Sequence, residues 1–156
     1  MSAINNTLEE IAERIKRAKS AVILTHMRPD GDAIGSALAL SRALDVLGIE
    51  NSVSDESDIP SNLSFLTGTE KIGKGFFKEA DLYIAVDSAD EQRLGALVDD
   101  FRAVSRKKDT VNIDHHVSNT RFGDYCYVEE RAATCEIVTA LADELEAVSY
   151  THLTLP

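Results

Sequence analysis

Ala21-Val22-Ile23-Leu24-Thr25-His26-Met27-Arg28-Pro29-Asp30-Gly31-Asp32-Ala33-Ile34-Gly35-Ser36 is the stretch whose reading decides the fold. Ala21 to Thr25 is a short apolar run, read as a buried strand. His26 to Asp32 reads as a turn, with Asp30-Gly31 a favourable turn dipeptide. From about Ala33 to Leu47, apolar residues Ala33, Ala37, Leu40, Leu44 and Leu47 line one helical face, and Gly48 is a C-terminal stop. A strand feeding a long helix through a tight turn is the unit of a parallel α/β fold.

The alternation continues on both sides. Residues 7–19 predict an amphipathic helix, with Thr7 and Glu10 at capping-box spacing and Leu8, Ile11, Ile15 and Ala18 stepping by three and four. Ile49 to Ser54 is a second strand. Residues 55–78 contain Pro60, Gly68, Gly73 and Gly75 and read as loops with a short helix. Leu82 to Val86 is the clearest strand, residues 90–105 are partly helical, Thr110 to Ile113 is another strand, and Tyr125 to Val128 is a fifth. Residues 133–147 form a last helix with Ile137, Leu141 and Leu145 on its apolar face. The expected architecture is therefore a mainly parallel sheet of roughly five strands with helices on both faces.

Composition narrows the function. With 156 residues the chain suits one domain. Its formal charge of −11 disfavours a broad nucleic-acid surface, so long duplexes are not expected partners. A small phosphorylated substrate stays open if cations supply local positive charge. No apolar run approaches the roughly 20 residues a spanning helix needs, and no secretory leader is visible, so a membrane partner is not expected and a cytoplasmic setting is. Cys126 and Cys135 then read as reduced thiols, and their C-x₈-C spacing matches no common zinc pattern.

Three strands end in potential metal ligands: His26 with Asp30 and Asp32 after the first, Asp87 after the third, and Asp114, His115 and His116 after the fourth. Ligands of open parallel sheets bind outside the carboxyl ends of the strands. Each residue alone has a plainer reading. Asp87 could cap a helix, Asp32 could cap the helix at Ala33, and His115-His116 could be a strand edge. All the plain readings must hold together for the cluster to be accidental. Carboxylates with imidazoles suit Mn²⁺ or a similar first-row cation, whereas thiolates would favour zinc. Two ions roughly 3.5–4 Å apart are a standard device for phosphoryl hydrolysis. Gly31 and Gly35 flank Asp32 and would allow close backbone approach to a phosphate, and the N-terminus of the 33–47 helix points the same way.

His26 through Ser36, Val86-Asp87-Ser88 and Asp114-His115-His116, in this order and spacing, resemble the motifs of the DHH phosphoesterase superfamily across about residues 7–147. The pattern is most similar to its branch of bifunctional oligoribonucleases and pAp phosphatases. The resemblance implies a metal-dependent phosphoesterase, usually with two Mn²⁺ ions and with Mg²⁺ or Co²⁺ as alternatives. It implies cleavage of phosphodiester or phosphomonoester bonds in short oligonucleotides or nucleotides. It would give His26 and Asp30 to one metal, Asp32 and His115 to the other, and Asp87 to both. His116 would contact the substrate phosphate, Asp114 would orient a neighbouring histidine, and Arg121, Gly35 and Ser36 are weaker substrate-side candidates.

The family pattern also includes a further Asp motif downstream and a DHHA1 substrate domain, neither of which is seen here. The expected organisation is a DHH catalytic domain over 1–148, incomplete at its end, and a foreign-looking tail over 149–156 whose His152 is not counted as a ligand. Apolar surface left uncovered would favour self-association, such as a homodimer. Other readings remain: inorganic pyrophosphatase, cyclic-dinucleotide phosphodiesterase, single-strand exonuclease, or a module that binds metal or nucleotide without turnover.

Overall fold

The computed structural model describes residues 5–147. In chain order the main elements are α1 (Leu8–Lys16), β1 (Ser20–Leu24), α2 (Gly31–Val46), β2 (Glu50–Ser54), β3 (Ile72–Gly73), β4 (Leu82–Val86), α3 (Val98–Ser105), β5 (Asp109–Asp114), β6 (Tyr125–Val128) and α4 (Thr134–Glu144). All strand pairs are parallel, and the sheet order is β3-β2-β1-β4-β5-β6. The sheet thus has six strands rather than about five. The extra one is the two-residue β3, inside the Gly-rich segment whose length hides any period-2 pattern.

In β1 and β4 alternate residues serve opposite cores, so these two strands read as continuous apolar runs. Ala21, Ile23, Leu82, Ile84, Val111 and Ile113 pack under α1, α2 and α4. Val22, Leu24, Tyr83 and Ala85 pack against Leu94, Leu97 and Phe101 on the other face. Burying a Leu or Ile completely is worth about 1.5–3 kcal/mol. Helices therefore cover both faces, three of them on the first.

Local chemistry sets the helix starts. The Thr7 hydroxyl accepts from the Glu10 N–H at 3.1 Å to begin α1. In α2 the cap is Asp30, whose side chain accepts from the Ala33 N–H at 2.9 Å. Asp32, the cap expected on the plainer sequence reading, lies inside the first turn and is free to face elsewhere.

The order in which strands are added reverses between β1 and β4: β2 and β3 lie on one side, β5 and β6 on the other. That junction is the switch point of an open α/β sheet, where the loops part and leave a crevice at the carboxyl ends. His26 follows β1 and Asp87 follows β4, so the sequence puts one residue of each motif on either side of it.

Candidate metal centre

Asp87 stands at the middle of the crevice. It is almost fully buried, and its φ of 56° is in the left-handed region. Such strain in a non-glycine residue costs of order 1–3 kcal/mol and persists only where the surroundings impose it. They do: the Asp87 N–H donates to the Ile113 carbonyl at 2.9 Å, and the Thr134 hydroxyl donates to Asp87 Oδ1 at 2.9 Å.

The two carboxylate oxygens of Asp87 face different partners. Oδ2 is 3.6 Å from His26 Nε2, which is 3.8 Å from Asp30 Oδ1. Oδ1 is 3.4 Å from His115 Nε2, which is 3.5 Å from Asp32 Oδ2. The second ring nitrogen of each histidine is already engaged. His26 Nδ1 lies 2.8 Å from the Met27 carbonyl, and His115 Nδ1 lies 2.9 Å from the Arg131 carbonyl. A carbonyl only accepts, so the proton sits on Nδ1 and the Nε2 lone pair points at the carboxylates. This is how proteins orient imidazoles as metal ligands. Separations of 3.4–3.8 Å are too long for hydrogen bonds and suit donor atoms arranged around an ion. Two groups of residues can each converge on one ion: His26, Asp30 and Asp87, and Asp87, Asp114, His115 and His116.

Asp114 is fully buried. Its Oδ1 lies 2.7 Å from His116 Nδ1, and its Oδ2 accepts from Asn119 Nδ2 at 2.8 Å. The carboxylate therefore fixes the ring of His116, which lines a 330 Å³ cleft together with His26, Asp30, Asp87 and Arg93.

Electrostatics follow this packing. The Asp87 carboxylate beside it raises the His26 pKa, against the effect of burial. Burial raises the Asp87 pKa above the ordinary carboxylate range, and the neighbouring charges of Asp32 and Asp30 push the same way. Burial would raise Asp32 as well, but the N–H groups of Thr134 and Cys135, both donating at 2.9 Å, hold it low. Asp32 thus satisfies the first turn of α4 from across the molecule, a role invisible locally because 102 residues separate the partners.

The weaker candidates fall elsewhere. A Cβ on Gly35 would come within 3.2 Å of Cys135 Sγ, so this glycine permits α2 and α4 to pack closely. Ser36 is fully buried, with its hydroxyl 3.4 Å from Asp32 Oδ1 and 3.3 Å from Cys135 Sγ; it lies beneath Asp32, away from the cleft. Arg121 does not line the cleft; the loop from His116 to β6 crosses the second core, where Phe122 packs edge-on against Phe101, and the Arg121 charge acts on Cys126. Neither cysteine is in a disulfide. His152 and the stretch 149–156 lie outside the described residues.

Sequence reading missed Thr134, Asn119 and Asp55. Asp55 follows β2, is fully buried, and accepts from the Thr25 hydroxyl at 2.5 Å and the Ser57 N–H at 2.7 Å. Its position one residue past a strand was the available signal.

A parallel α/β domain with paired His/Asp groups at its switch point is a scaffold for divalent-cation chemistry. The chain belongs to the DHH family: residues 20–155 match the model of the DHH family, N-terminal domain. It is 39% identical over 140 residues to the bifunctional oligoribonuclease and PAP phosphatase NrnA of Thermus thermophilus, covering 86% of this chain and 40% of that protein. The Bacillus subtilis protein of the same name is 29% identical, over 80% of this chain and 38% of its own length. An exopolyphosphatase-related protein from Bacteroides fragilis superposes with a TM-score of 0.82 at 26% identity, covering 90% of this chain and 44% of that structure. The chain thus spans about two fifths of the length of the curated relatives it matches. Among the described residues no helix is long and apolar enough to cross a membrane.

Proposed function

We propose that this chain carries the catalytic centre of a metal-dependent phosphoesterase that hydrolyses short oligonucleotides or pAp. The observation that carries this reading is Asp87, whose two oxygens stand 3.6 and 3.4 Å from two separately oriented histidines. The relatives named as oligoribonucleases and PAP phosphatases support the substrate class. His26 and Asp30 would hold one divalent cation, Asp32 and His115 a second, with Asp87 between them. The oxygen- and nitrogen-rich donor set suits Mn²⁺ best, with Mg²⁺ or Co²⁺ as substitutes. When bound, such a pair of ions polarises a phosphoryl group and makes water a nucleophile near neutral pH.

The chain's own residues do the rest. The Met27 and Arg131 carbonyls keep protons on Nδ1 of His26 and His115, so both Nε2 atoms remain donors of a lone pair. Asp114 accepts from His116 Nδ1–H and fixes the ring, so that when Nε2 is also protonated its N–H would donate to a phosphate oxygen or to the leaving oxygen. Two unpaired cysteines accord with a cytoplasmic setting. The name of the Bacteroides fragilis neighbour favours a second reading, hydrolysis of an inorganic phosphate chain.

The test is a substrate panel of pAp, a diribonucleotide, pyrophosphate and short polyphosphate, with Mn²⁺ or EDTA, on the chain and on Asp87→Ala. Hydrolysis of the nucleotides that requires Mn²⁺ and Asp87 is expected. Turnover of only the inorganic substrates would favour the second reading, and turnover in EDTA would refute both.

A further inference from the structure

We infer that Arg93 receives a phosphoryl group of the substrate at the mouth of the metal cleft; this rests on the phosphoesterase reading above. Among the residues lining the cleft, Arg93 is the one lysine or arginine, facing the same space as His26 and His116. The cleft is otherwise acidic, with Asp30, Asp87 and Asp90, in a chain of formal charge −11. A fixed cation there would complement a phosphate dianion alongside any bound metal.

The backbone of Arg93 is held, while its side chain has no hydrogen-bond or ion-pair partner among the described residues. Its N–H donates to Asp90 Oδ1 at 3.2 Å, and its carbonyl accepts from the Met27 N–H at 2.7 Å, which ties it to the His26 turn. Just beyond, Gly95 has a φ of 62°, and a Cβ there would collide with the Glu56 carboxylate. Glu56 in turn accepts from the Ala96 N–H at 2.6 Å. The segment is therefore pinned by loops from β1 and β2. Glu91, the nearest acidic neighbour in sequence, pairs with Arg102 at 2.6 Å instead. No carboxylate among the described residues lies within 4.0 Å of the Arg93 guanidinium, which is exposed at the cleft. A planar guanidinium on a pinned backbone is suited to bidentate contact with phosphate, and lysine reproduces only its charge.

The experiment is calorimetric titration of the Mn²⁺-loaded chain with AMP, and with adenosine as the unphosphorylated control. Arg93→Ala, Arg93→Lys and the remote charge control Arg42→Ala are compared, with bound Mn²⁺ counted in each. Arg93→Ala should weaken AMP roughly tenfold or more, Arg93→Lys should recover part of the loss, and Arg42→Ala should bind like the parent. The Mn²⁺ count and Tm should stay unchanged in all of them, whereas a structural role for Arg93 would move one or both. AMP affinity unchanged in Arg93→Ala would overturn the assignment and leave the phosphoesterase reading standing. A parent chain that loads Mn²⁺ but binds AMP no better than adenosine would sink that reading, and this inference with it.

Discussion

At the amino end of the sheet Asp81 accepts from the Lys19 N–H at 2.8 Å, Asp109 pairs with Arg14 at 2.7 Å, and Asp124 accepts from the Thr110 N–H at 2.9 Å. Each carboxylate there has a donor and does one structural task. At the carboxyl end Asp87 is nearly buried, faces two imidazoles at distances too long for hydrogen bonds, and has Asp30 and Asp32 as neighbours of like charge. The same side chain closes the fold at one end and leaves it electrostatically unsettled at the other. The lesson is that an aspartate beside a strand is informative only with its partners: N–H or guanidinium donors alone point to a structural role, and nearby imidazole nitrogens with no donor hydrogen between them point to a cation.

Substitutions at the two ends should separate these roles. The largest effect is expected for Asp87→Asn, which should abolish Mn²⁺-dependent hydrolysis while raising the Tm of the EDTA-treated chain by a few degrees. The sign follows from its raised pKa. A carboxyl group whose folded pKa lies above its unfolded value stabilises below the unfolded pKa and loses that contribution as pH rises through the folded one. The gain in Tm should therefore be greatest at neutral pH and shrink in acid, as thermal melts of both proteins at several pH values would show. A parent more stable than the variant at neutral pH would break the contrast.

Asp124→Ala comes next. It leaves the buried Thr110 N–H without its acceptor and should cost about 1–3 kcal/mol in urea unfolding, with the Mn²⁺ count intact. Asp30→Ala sharpens the comparison because Asp30 belongs to both classes. Loss of the α2 cap should cost about 0.5–2 kcal/mol, and in the same protein Mn²⁺ affinity should fall. A loss of stability with unchanged affinity would return Asp30 to a purely structural role.

The smallest effect concerns Cys135, whose thiol is pushed up to about 11, first by burial. At pH 8 it is almost entirely protonated, so iodoacetamide should label Cys135 far more slowly in the folded EDTA-treated chain than after unfolding. Equal rates would show that the contacts of Cys135 with Ser36 and Asp32 do not form.

Much of this arrangement was legible in the sequence, because β1 and β4 are apolar runs and β5 carries Val111 and Ile113, and the three lead within a residue or two to His26, Asp87 and Asp114-His115-His116. Short-range signals carry such patterns. Two-residue β3 was too short to show a period, and the exchange of capping roles between Asp30 and Asp32 could not be seen. The partners of Asp32, Thr134 and Cys135, meet it only when α2 packs on α4. Gly35 and Ser36 were placed near substrate because of their neighbours in sequence, but a helix turns successive side chains to different sides, and these two face α4. Arg93 was overlooked because an Asp-x-x-Arg turn carries no distinctive signal until the fold brings it beside His116.

The most direct test of the central claim is the Mn²⁺ stoichiometry of the purified chain, measured beside Asp87→Ala and Asp81→Ala. The account predicts about two ions per chain, lost in Asp87→Ala and kept in Asp81→Ala. A folded parent that binds no Mn²⁺, or an Asp87→Ala variant that binds as many ions as the parent, would contradict it.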